Sequence, residues 1–135
     1  MITPEIIKIA SDTSNCGIKE NLIFTATSKN KTCGDIITVG IEIFDNKIEK
    51  MSYDTESCIF CQASASLLSK IIKKSNIERL RHDVNEINMS HKNKKIVLKK
   101  KYKSFRKLFQ QKYKQRFSCI LLPFNALLKV VNNTI

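Results

Sequence analysis

The sequence predicts an α+β fold in which a small three-stranded antiparallel sheet has helices packed on one face. Three observations predict it. A chain of 135 residues has the length of one domain and can bury a single hydrophobic core. Ile37, Val39, Ile41 and Ile43 lie on one face of a period-two pattern, opposite Thr38, Gly40 and Glu42, with Asp45-Asn46 following as a tight turn. Further along, apolar residues recur at helical spacings.

Taken in order, residues 4–10, with Ile6, Ile7 and Ile9, read as a short helix, and 11–19 as a polar loop holding Cys16-Gly17. Residues 22–27 are rich in strand formers and supply the first strand. The Ile37 strand, the Asp45-Asn46 turn and residues 47–53 form a hairpin, although Ile48 and Met51 alternate less cleanly. The apolar face of this sheet needs a cover, and helices supply it. Residues 62–74 carry Ala65, Leu68 and Ile72 at compatible spacings. Residues 76–88 carry a stripe of Ile77, Leu80, Val84 and Ile87, with Ser75 as N-cap and Glu78 three residues on. After a polar break at 90–95, residues 99–114 place Tyr102, Phe105, Leu108, Phe109 and Tyr113 on one side of an amphipathic helix. A last helix covers 119–131, and Pro123 argues for a start near Cys119, because a proline cannot donate to the carbonyl four residues back. No internal repeat and no second domain is visible, so 1–135 reads as one unit.

Composition excludes several classes. No apolar run approaches the roughly 20 residues a membrane span needs, and the first ten residues contain Glu5 and Lys8 without a basic start or cleavage pattern. The expected compartment is the cytoplasm, with no membrane partner. A net charge of +12 raises nucleic-acid binding, but the heavy use of Ile, Lys and Asn throughout reads as compositional drift on a solvated face. His82 and His91 read as surface residues.

The five cysteines would be thiols in a reducing compartment, where metal binding or reactivity is a commoner role than stapling. Cys33-Gly34-Asp35 lies in the loop before the Ile37 strand, and in extended chain a Cys and an Asp two apart point the same way. A thiolate and a carboxylate converging on one point suit zinc or ferrous iron. Cys58 sits where the hairpin ends and a helix begins, a place that favours thiolate. Cys58-x-x-Cys61 has metal or redox spacing without a second pair to complete a ribbon. Cys119 is expected at another helix start, and Cys61 reads as a buried thiol in preference to a spare ligand or persulfide relay.

Together these residues resemble the NifU/IscU/SufU family of iron–sulfur cluster assembly scaffolds, from Cys33 to Leu128. The resemblance rests on Cys33-Gly34-Asp35 before a hairpin, Cys58 followed by Ala63-Ser64-Ala65-Ser66 opening a helix, and Arg116-Phe117-Ser118-Cys119 heading the last one. It implies the SufE/NifU-like version of the fold, with Cys33, Asp35, Cys58 and Cys119 as metal ligands. It also implies a carrier rather than an enzyme, with no catalytic residue. Such a carrier holds iron or a transient [2Fe–2S] cluster and passes it to recipient apo-proteins, with sulfur drawn from a cysteine desulfurase. Ser118 stands where the IscU branch has a histidine, no Leu-Pro-Pro-Val segment precedes Cys119, and the interval from Cys58 to Cys119 is long. These departures place the chain nearer the SufU branch of the SUF system. The alternative reading is a zinc-dependent sulfur acceptor that stimulates a cysteine desulfurase, with Cys119 or Cys58 taking the sulfur. A third is a basic nucleic-acid-binding module with an incidental structural zinc.

Overall fold

The computed structural model describes residues 2–18 and 24–134. Helix α1 (Pro4–Ser11) begins with Pro4 in its first turn and with the Thr3 hydroxyl accepting the Ile6 N–H. Three strands follow, β1 (Phe24–Asn30), β2 (Asp35–Phe44) and β3 (Lys47–Glu56), in one antiparallel sheet of order β1-β2-β3. The first strand expected from sequence began at Leu22, which lies outside the described residues, and it runs on to Asn30.

Alternation fixes which face is covered. Ile37, Val39 and Ile41 are fully buried, while Ile36 and Glu42 face outward. Asp45 and Asn46 both have positive φ (54° and 60°), the geometry of a two-residue hairpin turn that Asp and Asn tolerate best. The imperfect alternation of β3 has a definite cause. Glu42 pairs with Lys50 but Ile43 pairs with Ile48, leaving Glu49 extra, so this one-residue bulge turns both Ile48 and Met51 inward. Residues 15–18 run beside β3, where Gly17 N–H donates to the Tyr53 carbonyl at 2.8 Å and Tyr53 N–H to the Asn15 carbonyl at 3.2 Å.

Helices α2 (Ile59–Ile71), α3 (Ile77–Lys92) and α4 (Phe117–Asn133) complete the domain. The long helix α4 is apolar nearly all round because it is sandwiched, packing on β1 and β2 with α2 and α3 behind it. Helix α2 lies against β3 and α4, with α1 on its outer side. Its Ala63, Ser64, Ala65 and Ser66 are all buried, and their small size lets backbones approach. Ser64 Oγ donates to the Ile120 carbonyl at 2.5 Å and Ser66 Oγ to the Asp12 carbonyl at 2.9 Å. The Ala-Ser-Ala-Ser run is thus the seam between three helices.

Four sequence expectations need correction. Helix α2 starts at Ile59, three residues before the expected start, because Cys58 rather than a later residue adopts the extended N-cap conformation. Asn76, not Ser75, caps α3, its Oδ1 accepting the N–H groups of Glu78 (2.9 Å) and Arg79 (3.1 Å). The stretch expected as one amphipathic α-helix is two runs of short 3-10 turns, Lys100–Lys107 and Gln111–Arg116, kinked at Tyr102 and at Tyr113. Tyr102, Phe105 and Leu108 recur every third residue, the 3-10 repeat, and all are buried. Helix α4 starts at Phe117, so Pro123 lies inside it instead of in its first turn. No helix among the described residues is long and apolar enough to cross a membrane.

Candidate metal centre

The site forms at one end of the sheet, where three chain segments stop or start. The β1–β2 hairpin closes with Asn30 opposite Asp35, and the loop between them holds Cys33 and Gly34. Gly34 takes a φ of +73°, which side-chain-bearing residues rarely adopt, and its N–H donates to the Asn30 carbonyl at 2.8 Å. Asp35 shares the inward face of Ile37 and Val39, so its carboxylate points under the helices and is only 2% exposed. The chain leaving β3 brings Cys58 to the first turn of α2, and the first turn of α4 carries Cys119.

The side chains meet. Ligand atoms of Cys33, Asp35 and Cys119 all lie within 4.8 Å of one another, and the Sγ atoms of Cys33 and Cys119 are 3.0 Å apart. Around a tetrahedral ion with bonds of about 2.3 Å, ligand atoms are separated by roughly 3.7 Å. The cluster therefore needs only a slight opening to admit one. Cys58 adjoins it through Asp35, whose Oδ1 accepts the Cys58 N–H at 2.9 Å while Oδ2 lies 3.5 Å from Cys58 Sγ. All four residues named from sequence are thus brought to one corner, Cys58 by its contact with Asp35.

Protonation of the thiols departs from expectation. Helix N-termini were expected to favour thiolate at Cys58 and Cys119. At Cys58 burial pushes the thiol up, outweighing the N–H groups of Cys61 and Phe60 that favour its charged form. Cys119 is fully buried, and burial together with hydrogen bonds to Cys33 and Asp35 raises it further. At both positions desolvation opposes the preference for thiolate that the first turn of a helix provides. Cys61 is also fully buried, its thiol pushed up to about 12 by burial. Cys16 is exposed and belongs to the segment beside Tyr53, apart from the cluster. His82 is exposed and His91 half-buried against the Phe117 ring, neither in the cluster.

Two residues of the site were not singled out as functional from sequence. The Arg116 guanidinium lies 3.7 Å from Cys33 Sγ, a fixed cation beside a sulfur. Asn30 Nδ2 donates to Ser118 Oγ at 3.1 Å and contacts Cys119 Sγ at 3.6 Å, tying the end of β1 to the start of α4. The signal for Arg116 was its place three residues before Cys119, which puts both within one turn.

Fold and site define an α+β domain with a sulfur-rich corner that combines soft thiol and hard carboxylate donors. The sequence matches the NifU-like N terminal domain family over residues 1–116, and the chain belongs to that family. Two curated relatives from Archaeoglobus fulgidus, named iron–sulfur cluster assembly scaffold proteins IscU 1 and IscU 2, are each 33% identical over 64 residues. Those matches take in 47% of this chain and 42% of each relative, so the similarity spans less than half of the curated proteins' length. The crystal structure of the N-terminal part of a nitrogen-fixing NifU-like protein from Brucella abortus superposes with a TM-score of 0.82 at 20% identity, covering 98% of this chain and 95% of that one. A putative iron–sulfur cluster assembly scaffold protein for the SUF system from Fervidobacterium islandicum superposes with a TM-score of 0.81 at 19% identity, with 96% of each covered. At these identities the two structures show a shared fold.

Proposed function

We propose that this protein is an iron–sulfur cluster assembly scaffold, holding iron and sulfur as a [2Fe–2S] cargo between Cys33, Asp35, Cys58 and Cys119 before transfer to an apo-protein. The observation that carries the proposal is the convergence of the Cys33, Asp35 and Cys119 ligand atoms within 4.8 Å, with Cys58 against the same carboxylate. Family membership and the names of the Archaeoglobus relatives support it. Chemically, thiolates bind iron with high covalency, whereas a carboxylate is a harder and more replaceable ligand. A partner's thiols can then enter by displacing Asp35. The proposed sulfur source is a cysteine desulfurase.

A second reading, a zinc-dependent sulfur acceptor, is favoured by Arg116, since a cation beside Cys33 stabilises negative sulfur. The donor set of this corner fits zinc as well as iron. Of the two acceptors expected from sequence, exposure favours Cys58, because Cys119 is fully buried.

Anaerobic reconstitution with ferric iron and sulfide tests the first reading. Visible charge-transfer absorbance is expected, and it should disappear in Cys33→Ser and Cys119→Ser variants. Tight zinc with no cluster absorbance, together with faster sulfide release by a desulfurase, would replace it with the second. A protein that holds neither metal refutes both.

A further inference from the structure

The charge of this molecule is segregated along the chain. All twelve acidic residues lie between Glu5 and Glu86, against eleven Lys and Arg up to residue 91, so 1–91 carries −1 and 92–135 carries +13. Twelve of those basic residues fall in 92–116, and every one is exposed. Drift would have spread the excess over the whole chain, so the positive charge is concentrated in this exposed segment. Among the described residues only Lys99 and Lys107 of this stretch form ion pairs, with Asp83 and Glu86 and with Glu5.

Concavities open along this segment. Ile96, Val97, Leu98 and Phe109 line one groove with Lys95 and Arg106 on its rim. Ile96 and the edge of Phe117 line a second, smaller and more polar one with His91 and Gln111, rimmed by Lys94 and Lys114. The two share Ile96, and the Phe109 and Phe117 rings meet at 5.3 Å. Val97 is 62% exposed, between Ile96 and Leu98, which are half-buried. The second groove ends at Phe117, between Arg116, which touches Cys33, and the turn that carries Cys119.

From this arrangement we propose that the face formed by residues 92–117 docks an acidic protein segment with apolar side chains at intervals. The carboxylates would meet the lysine rim, and the apolar side chains would fill the paired grooves. Delivery of that partner to the cysteines rests on the scaffold reading, while the docking itself does not. A nucleic acid fits less well, because Tyr102, Phe105 and Tyr113 are buried and only Phe109 of that stripe is half-exposed, too little for successive bases to stack on. A bilayer presents no discrete knobs for concave grooves.

The test uses fluorescence anisotropy of the full chain at 150 mM salt with four probes of defined composition. They are a 16-residue peptide of glutamates interrupted by Leu and Phe, its equally charged analogue with Ser at those positions, a 20-nucleotide RNA, and phosphatidylserine-containing vesicles. The apolar peptide should bind at least tenfold more tightly than the Ser analogue. Lys94→Glu combined with Lys114→Glu should abolish that binding, and Val97→Ser should weaken it several-fold, with circular dichroism unchanged. Equal affinity for the two peptides, tighter binding of RNA or vesicles, or no binding of any probe would overturn the proposal. Metal content of the same variants should equal wild type, so a failed docking surface is distinguishable from a failed metal site.

Discussion

Asp35 Oδ1 accepts the Cys58 N–H at 2.9 Å, which leaves Oδ2 as the oxygen facing the sulfurs. One carboxylate therefore fixes the start of α2 and, in the proposed function, would also present a replaceable donor. Asp35→Ala is expected to lengthen the lifetime of a reconstituted cluster and slow its transfer to an apo-ferredoxin by several-fold, read from the decay of visible absorbance. Unchanged rates would deny Asp35 its role in release. The same variant should lose about 1 kcal/mol of stability with the lost acceptor. Cysteine chemistry divides by burial at this scale. Cys16 is exposed, whereas the Cys61 thiol is shifted up to about 12 and stays neutral throughout the range in which maleimides are used. Alkylation at pH 8 followed by peptide mass mapping should find Cys16 modified within minutes and Cys61 only after denaturant. Equal rates at the two positions would contradict the buried setting. That Cys33, Asp35, Cys58 and Cys119 come to one corner was expected from sequence, because each sits at a loop end or a helix start and together they resemble the family's pattern. Arg116 was not, because its contact with Cys33 joins residues 83 apart.

The elements show where local rules suffice. Asp45-Asn46 and the Ile37, Val39, Ile41 alternation gave the hairpin, since a turn and a pleat depend on neighbours only. The N-cap of α3 went to Asn76 over Ser75 because Ser75 is buried and its hydroxyl accepts from Lys101. The 3-10 segments were misread as α-helix because the near-helical spacing of five aromatic and aliphatic residues masked the strict three-residue step from Tyr102 to Leu108. Asp83 fastens the first of them to α3. It is buried, accepts from Lys99 Nζ at 2.7 Å and from the Tyr102 hydroxyl at 3.1 Å. Asp83→Ala would strand the Tyr102 hydroxyl without its acceptor and should cost ~1–3 kcal/mol in urea unfolding. A variant as stable as wild type would show that the segment is held by its aromatic packing alone.

At the scale of the molecule, the covering of one sheet face by α2 and α4 followed from the hydrophobic pattern. The basic stretch 92–116 is plain in the sequence too, but overturning its reading as compositional drift took the exposure of all twelve of its basic side chains. One surface contact predicts an acid response. Lys70 and Ser14 hold the Asp12 carboxyl down at about 2, and the Asp12 carbonyl accepts from Ser66, so this residue joins α1 to α2. A carboxyl whose folded value is below its unfolded 3.8 contributes stability that is present above that value and lost as pH falls through 2. The stability difference between wild type and Asp12→Asn should therefore be constant above pH 5 and vanish near pH 1.5, and should shrink with salt. A difference independent of pH would assign the effect to packing.

The hairpin loop and the last helix meet through sulfurs 86 positions apart in the chain. An ion held there, as proposed, would act as a rivet across most of the polypeptide, closing a long loop whose ends the bare chain must otherwise hold at entropic cost. Under the proposed scaffold function, loading would stiffen the whole body, and unloading would loosen first the corner proposed for transfer.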